Sequence, residues 1–130
     1  MEDSDFSEAF FAFIHTTVPS VSVAELILLI SRQPDRWWTV AEVRRELPAD
    51  VNITESGIGA AMDTLRSRGL VELDSEKRSR YRPASDSLDA HVRTLAQAYN
   101  ERPVTLIRMI YALRDSRIQS FADAFKFRKG

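Results

Sequence analysis

Residues 62–72, MDTLRSRGLVE, decide the fold, because the spacing of apolar residues changes within them from that of a helix to that of a strand. Met62 and Leu65 are spaced for one side of a helix, and two arginines follow before Gly69. Glycine readily adopts the left-handed backbone conformation that ends many helices, so Gly69 predicts the end of this one. Residues 70–73 (LVEL) then predict a strand. A helix that leads directly into an extended segment is therefore expected here.

The strand predicted at 70–73 continues into a hairpin. Residues 74–79 form a polar turn, and residues 80–83 (RYRP) predict a returning strand. Four cations lie close together in this segment, namely Lys77, Arg78, Arg80 and Arg82. Such a concentration of positive charge is typical of a surface that contacts phosphates, although a solvated basic hairpin would have the same sequence.

Three predicted helices lead up to this hairpin. Ser20 caps the first, which ends at Pro34. Residues 39–42 (TVAE) form a capping box that starts the second, which closes before Pro48. Asn52 or Thr54 starts the third. Trp37 and Trp38 lie in a short extended piece before the capping box, and we expect one in the core and the other at the surface.

Helices are also predicted on both flanks. Residues 4–16 have helical spacing of apolar side chains, and residues 86–128 contain further helices, one of which begins at Pro103. The expected fold class is mainly α with a small β-wing, in a single domain over residues 1–130. That domain has a core at 20–83 and flanking N- and C-terminal helices.

The order helix, short strand, helix, helix, strand, basic turn, strand resembles a winged helix-turn-helix. MDTLRSRGLVE is similar to the exit of the recognition helix in MarR- and PadR-type transcriptional regulators, and the resemblance covers residues 20–83. It implies a bacterial-type regulator that binds double-stranded DNA. In a DNA reader of this fold, the third helix of the core enters the major groove.

Composition sets the broad class. The 130 residues include 44% hydrophobic and 28% charged side chains and no cysteine, which predicts a soluble, cytoplasmic protein without disulfides. The net charge is −1, but residues 1–75 carry 6 basic and 13 acidic groups, whereas residues 76–130 carry 12 and 6. Because salt screens distant charges, this local excess keeps a nucleic-acid partner possible.

Helical periodicity separates the two sides of the third core helix. Ile58, Met62 and Leu65 belong to the core side, which leaves small and polar residues on the opposite side. No Arg, Lys, Asn or Gln occupies the centre of that side, so base readout is expected to be modest. The predicted DNA-binding residues are Arg44, Arg45, Thr54, Ser56, Ala60, Arg66, Ser67, Arg68, Lys77, Arg78, Arg80 and Arg82.

The flanking helices predict a homodimer. Their apolar stripes offer more surface than a small three-helix core covers, and such surplus usually marks an association surface. The alternative is that they complete the core of a monomer. The predicted dimer residues are Phe6, Phe10, Phe13, Leu106, Ile110, Phe121 and Phe125.

Other functions receive less support. His15 and His91 are far apart and belong to no ligand-spaced pair, and no paired acid and base is apparent, so we expect no enzyme activity, metal or cofactor. The main alternative is a winged-helix interaction module that docks an acidic protein partner without binding DNA. A small ligand-responsive sensor, with a pocket between the terminal helices, is a third possibility. No membrane contact is expected.

Overall fold

The computed structural model describes residues 6–114. The described chain forms helices and two short strands in this order: α1 Glu8–Thr17, α2 Val21–Ser31, α3 Val40–Glu46, α4 Glu55–Ser67, β1 Val71–Leu73, β2 Ser79–Tyr81, α5 Asp86–Glu101 and α6 Pro103–Arg114. The fold is mainly helical with a small antiparallel sheet, as expected. The segment predicted at 118–127 lies outside the described residues.

Side-chain caps explain where α1 to α5 begin. Each N-cap hydroxyl accepts a hydrogen bond from the backbone N–H three residues later, which satisfies a donor that the first helical turn leaves unpaired. The capping residues are Ser7, Ser20, Thr39, Thr54 and Ser85. The predicted capping box at α3 is confirmed, and Thr54, not Asn52, starts α4.

The end of α4 is also as predicted. Gly69 has a φ of +83°, and its N–H donates to the Arg66 carbonyl at 3.0 Å. The Leu70 N–H donates to the Leu65 carbonyl at 2.9 Å, so the two bonds together form a Schellman motif. Three residues, 68–70, lead from the end of α4 through this motif to the start of β1.

The hairpin is fastened to the segment before α3. β1 and β2 pair in antiparallel register, with Glu72 opposite Arg80. Trp38 and Ser79 form an isolated bridge in which each N–H donates to the other carbonyl, at 2.8 and 2.9 Å. Trp38 is 1% exposed and Trp37 is partly exposed, which confirms the predicted division between core and surface.

The flanking helices complete the hydrophobic core of their own chain. α1 packs against α5 and α6, and α5 also packs against α2. The dimer prediction assumed that the named apolar side chains exceed what the chain's own core covers, and for the five that the structure describes this premise is wrong. Phe6, Phe10, Phe13, Leu106 and Ile110 are all buried within the chain's own core. Phe121 and Phe125 lie outside the described residues, and the homodimer itself stays a prediction.

No single described helix is long and apolar enough to cross a membrane. α1 and α2 reach that length only when taken together, and they meet at a bend of 102°.

Candidate nucleic-acid interface

α4 has one buried and one exposed side, as its periodicity predicts. Ile58, Met62 and Leu65 are buried against the core. The opposite side is open to solvent along the whole helix, and its exposed members are Ser56, Ala60, Asp63 and Ser67. This side therefore offers a smooth surface about three turns long, without a bulky side chain.

The hydrogen-bonding capacity of that side is smaller than the sequence suggests. The Thr54 hydroxyl accepts a bond from the Gly57 N–H at 3.0 Å, and the Ser67 hydroxyl donates to the Thr64 carbonyl at 2.9 Å. Both hydroxyls, predicted to contact DNA, thus already form a hydrogen bond with the backbone of α4. Glu55 and Asp63 add two carboxylates to the exposed surface of α4, which weakens its attraction for phosphate.

The arginines around α4 differ in their partners. Arg44 on α3 lies 3.9 Å from the carboxylate of Glu55, so this ion pair joins α3 to the first turn of α4. Arg45, Arg66 and Arg68 are exposed and form no ion pair with the rest of the described chain. These three are the cations of the helical part of the interface that are available to an external anion.

The hairpin is much less positive than its four cations suggest. Residues 72–82 also contain three carboxylates, which leave a net charge of +1. Arg78 pairs with Asp74 at 2.8 Å and lies 3.6 Å from Glu76. Glu72 faces both Arg80, at 2.6 Å, and Arg82, at 3.9 Å. Three of the four predicted phosphate contacts therefore already face an acidic side chain within the same hairpin.

Lys77 is the exception in the hairpin. It is exposed, lies at the tip and forms no ion pair with the described residues. Its φ of +63° is unusual for a residue other than glycine. The turn is held by Asp74, whose Oδ1 accepts bonds from the N–H groups of Glu76 at 2.9 Å and Arg78 at 2.8 Å.

The carboxylate of Asp74 is ionised more readily than usual. Partial burial opposes ionisation, but the hydrogen bonds from Arg78 and Glu76 outweigh it and lower the pKa of Asp74. The same pairing raises the pKa of Arg78. Arg78 is thus neutralised by acidic side chains within the turn, and the exposed Lys77 lies beside this pair.

Each tryptophan lies beneath an arginine, a feature that the sequence analysis missed. The Arg80 guanidinium lies 4.5 Å from the centre of the Trp37 ring. The Arg36 guanidinium lies 3.6 Å from the centre of the Trp38 ring and also pairs with Glu46 at 2.8 Å. Cation–π contacts of this kind fix the orientation of a planar guanidinium. The contact between Arg80 and Trp37 holds β2 to this segment, and the ion pair between Arg36 and Glu46 holds the end of α3 to it.

A surface groove of about 550 Å³ separates the hairpin from α5. The groove has cations and carboxylates on its walls, among them Arg82, Arg93 and Asp86. At its edge the Tyr81 hydroxyl donates to Asp89 at 2.8 Å, and Arg93 pairs with the same carboxylate at 2.8 Å. Burial, together with this carboxylate, raises the pKa of the Tyr81 hydroxyl, which keeps it protonated as the donor.

Comparison of the chain with protein-family models, curated proteins and solved structures finds no match.

Proposed function

We propose that this chain is a winged-helix transcriptional regulator that binds duplex DNA, with α4 as its recognition helix. One observation carries the proposal. The centre of the exposed side of α4 has no bulky side chain. At the C-terminal end of the helix lie Arg66, in the last turn, and Arg68, the C-cap, and neither forms an ion pair with the described chain. A helix of this kind can lie deep in the major groove, where its end reaches the phosphates.

The order of elements supports the same proposal. α2, the Trp38 bridge, α3, α4 and the β1–β2 hairpin follow one another in the order of a winged helix-turn-helix. α3 packs against α4, and α4 packs against β1, so the hairpin and the exposed side of α4 belong to one continuous unit. In this arrangement α3 would cross the DNA backbone and the hairpin would be the wing.

The phosphate contacts in this proposal come mainly from four cations. They are Arg45, Arg66, Arg68 and Lys77, which form no ion pair with the described chain. Sequence readout would be modest, because the serines and Ala60 offer few groups to base edges. A homodimer would present two such surfaces to adjacent half-sites, but its interface would need residues other than the five now known to be buried.

A second candidate is an interaction module that docks a protein partner. The weakness of α4 as a DNA reader favours it, because no forked donor lies at the centre of the exposed side. The exposed cations around α4 and at the hairpin tip would then contact the carboxylates of an acidic partner. A protein surface tolerates this chemistry better than a DNA groove does.

A fluorescence anisotropy titration separates the two candidates. The chain is titrated against a random duplex and, in parallel, against polyglutamate, at about 50 and 200 mM salt. DNA binding with a slope of log K against log salt of about −3 to −4, as four contacts imply, supports the regulator. Binding to polyglutamate without binding to the duplex would replace it with the interaction module.

A further inference from the structure

Glu72 occupies an unusual position for an acidic residue in a DNA-binding hairpin. It lies on β1 directly opposite Arg80 on β2, and Arg82 follows two residues later, just beyond the end of β2. One carboxylate oxygen, Oε1, faces Nη2 of Arg80 at 2.6 Å and Nη1 of Arg82 at 3.9 Å. The two guanidinium groups therefore converge on a single anionic oxygen.

A phosphodiester oxygen would occupy the same kind of position. Arginine binds carboxylate and phosphate through the same planar arrangement of N–H donors, so the two anions compete for it directly. Arg80 and Arg82 are 23% and 67% exposed at their side chains, which lets an external anion approach from solvent. The carboxylate that already faces them is 42% exposed.

We propose that Glu72 stands in for a DNA phosphate between Arg80 and Arg82 and thereby limits the affinity of the hairpin for duplex DNA. This inference rests on the proposed function. It assigns to Glu72 the role of a specificity determinant, because phosphate contacts supply affinity for any sequence and a residue that suppresses them lowers non-specific binding.

Trp37 contacts Arg80 independently of Glu72. The Arg80 guanidinium lies 4.5 Å from the centre of the Trp37 ring, and this contact does not involve Glu72. When the carboxylate is removed, Arg80 remains stacked on the ring and its N–H donors become available. Loss of Glu72 therefore exposes an arginine that is already oriented.

The test uses Glu72→Gln, which removes the charge and keeps the shape of the side chain. Glu101→Gln is the matched control, because Glu101 is an exposed residue of α5 that pairs with no arginine of the described chain. On a random duplex, Glu72→Gln should bind more tightly than wild type and Glu101→Gln. Two released phosphate contacts steepen the slope of log K against log salt by up to about 1.8. The gain in affinity of Glu72→Gln over wild type therefore shrinks about tenfold between about 50 and 200 mM salt.

The tighter DNA binding of Glu72→Gln should depend on the released arginines. The double variant Glu72→Gln/Arg80→Ala should lose most of it, which a general effect of net charge would not predict. Where the wild type binds the duplex, a Glu72→Gln variant that binds it no better than Glu101→Gln overturns the proposal, and one that binds less well shows that Glu72 positions Arg80 for DNA.

Elution from immobilised heparin separates this inference from the proposed function, because heparin is a polyanion other than DNA. If Glu72→Gln elutes later than Glu101→Gln, the competition at Arg80 and Arg82 is supported, even when neither variant binds a duplex. Failure to bind a duplex would then refute the proposed DNA binding and leave the competition intact. Co-elution of the two variants overturns the competition.

Discussion

Two glycines in the first half of α4 have different surroundings. A Cβ atom added at Gly59 would meet no atom within 4 Å, whereas one at Gly57 would lie 3.1 Å from Cγ1 of Ile53. Because glycine in a helix is less favourable than alanine by about 1 kcal/mol, Gly59→Ala should raise the free energy of unfolding by about that amount. Gly57→Ala should gain less, since Ile53 must move. Urea unfolding of both variants measures the difference, and equal values would contradict this account of the space around α4.

Lys77 combines backbone strain with a charge that has no ion-pair partner among residues 6–114. Its φ of +63° suits glycine better than lysine, so Lys77→Gly should increase stability by about 1 kcal/mol. If Lys77 contacts a phosphate as proposed, the same change should reduce the salt slope of DNA binding by about 0.9. Stability and binding therefore move in opposite directions. Lys77→Asn is the control, because it removes the charge and retains a side chain that tolerates this conformation. An unchanged slope in both variants would exclude Lys77 from the interface.

At the scale of single elements, one carboxylate in α3 and one in the hairpin turn make the free energy of unfolding depend on pH. The backbone N–H of Thr39 donates to Glu42 and lowers the pKa of that carboxyl, and the pKa of Asp74 in the hairpin turn is also lowered. Their stabilising contribution is present above the unfolded pKa values of about 4 and is lost as pH falls through the lower folded values. Glu42→Gln/Asp74→Asn should flatten the acid side of the stability profile. A double variant that loses stability as steeply as wild type below pH ~4 would contradict these assignments.

Arginines without an acidic partner in the described chain should contribute more to DNA binding than Arg78, which already pairs with Asp74. Arg66, in the last turn of α4, and Arg68, its C-cap, have no acidic partner among residues 6–114, so Arg66→Ala/Arg68→Ala should reduce the salt slope by about 1.8. Arg78→Ala should change it by much less than about 0.9, because Asp74 already neutralises Arg78. Anisotropy titrations over a range of salt concentrations measure both. The reverse order would show that the hairpin turn opens on binding.

The elements were largely predictable, but the charge of the hairpin was not assigned correctly. Ser20, Thr39 and Gly69 act through local hydrogen bonds and backbone conformation, which are encoded within a few residues. The pairing of Glu72 with Arg80 depends on strand register, which follows only once the turn at 74–78 is centred on Glu76. The Trp38–Ser79 bridge joins residues far apart in sequence, and no local pattern indicates it.

At the scale of the whole molecule, the sequence could not separate an internal core from a dimer interface. Apolar stripes such as Phe6, Phe10 and Phe13 have the same periodicity in either case, and only the packing of α1 on α5 and α6 decides between them. The rings of Phe10 and Phe13 also contact His91 of α5, with centroids 6.2 and 5.3 Å away. These contacts bury the stripe inside one chain.

Burial in the chain's own core has a measurable consequence. Phe10 is 1% exposed, so Phe10→Ala should lower the free energy of unfolding by about 3–5 kcal/mol. The difference in unfolding midpoint between wild type and variant should not depend on protein concentration, as it would if Phe10 belonged to a dimer interface. Ile14→Val, which should cost about 0.5–1.5 kcal/mol, serves if the alanine variant does not fold. A concentration-dependent shift at Phe10 would restore the dimer interpretation.

The central claim is that the exposed side of α4 enters duplex DNA, and Ala60 tests it most directly. Ala60 is exposed at the middle of that side, so Ala60→Trp should fold normally and keep α4 from seating in the groove. Ala90→Trp, at an exposed position on α5, is the matched control. By anisotropy at about 50 mM salt, wild type and Ala90→Trp should bind a random duplex equally, and Ala60→Trp should bind at least about tenfold more weakly. Equal binding by all three proteins, or no binding by wild type, would contradict the claim.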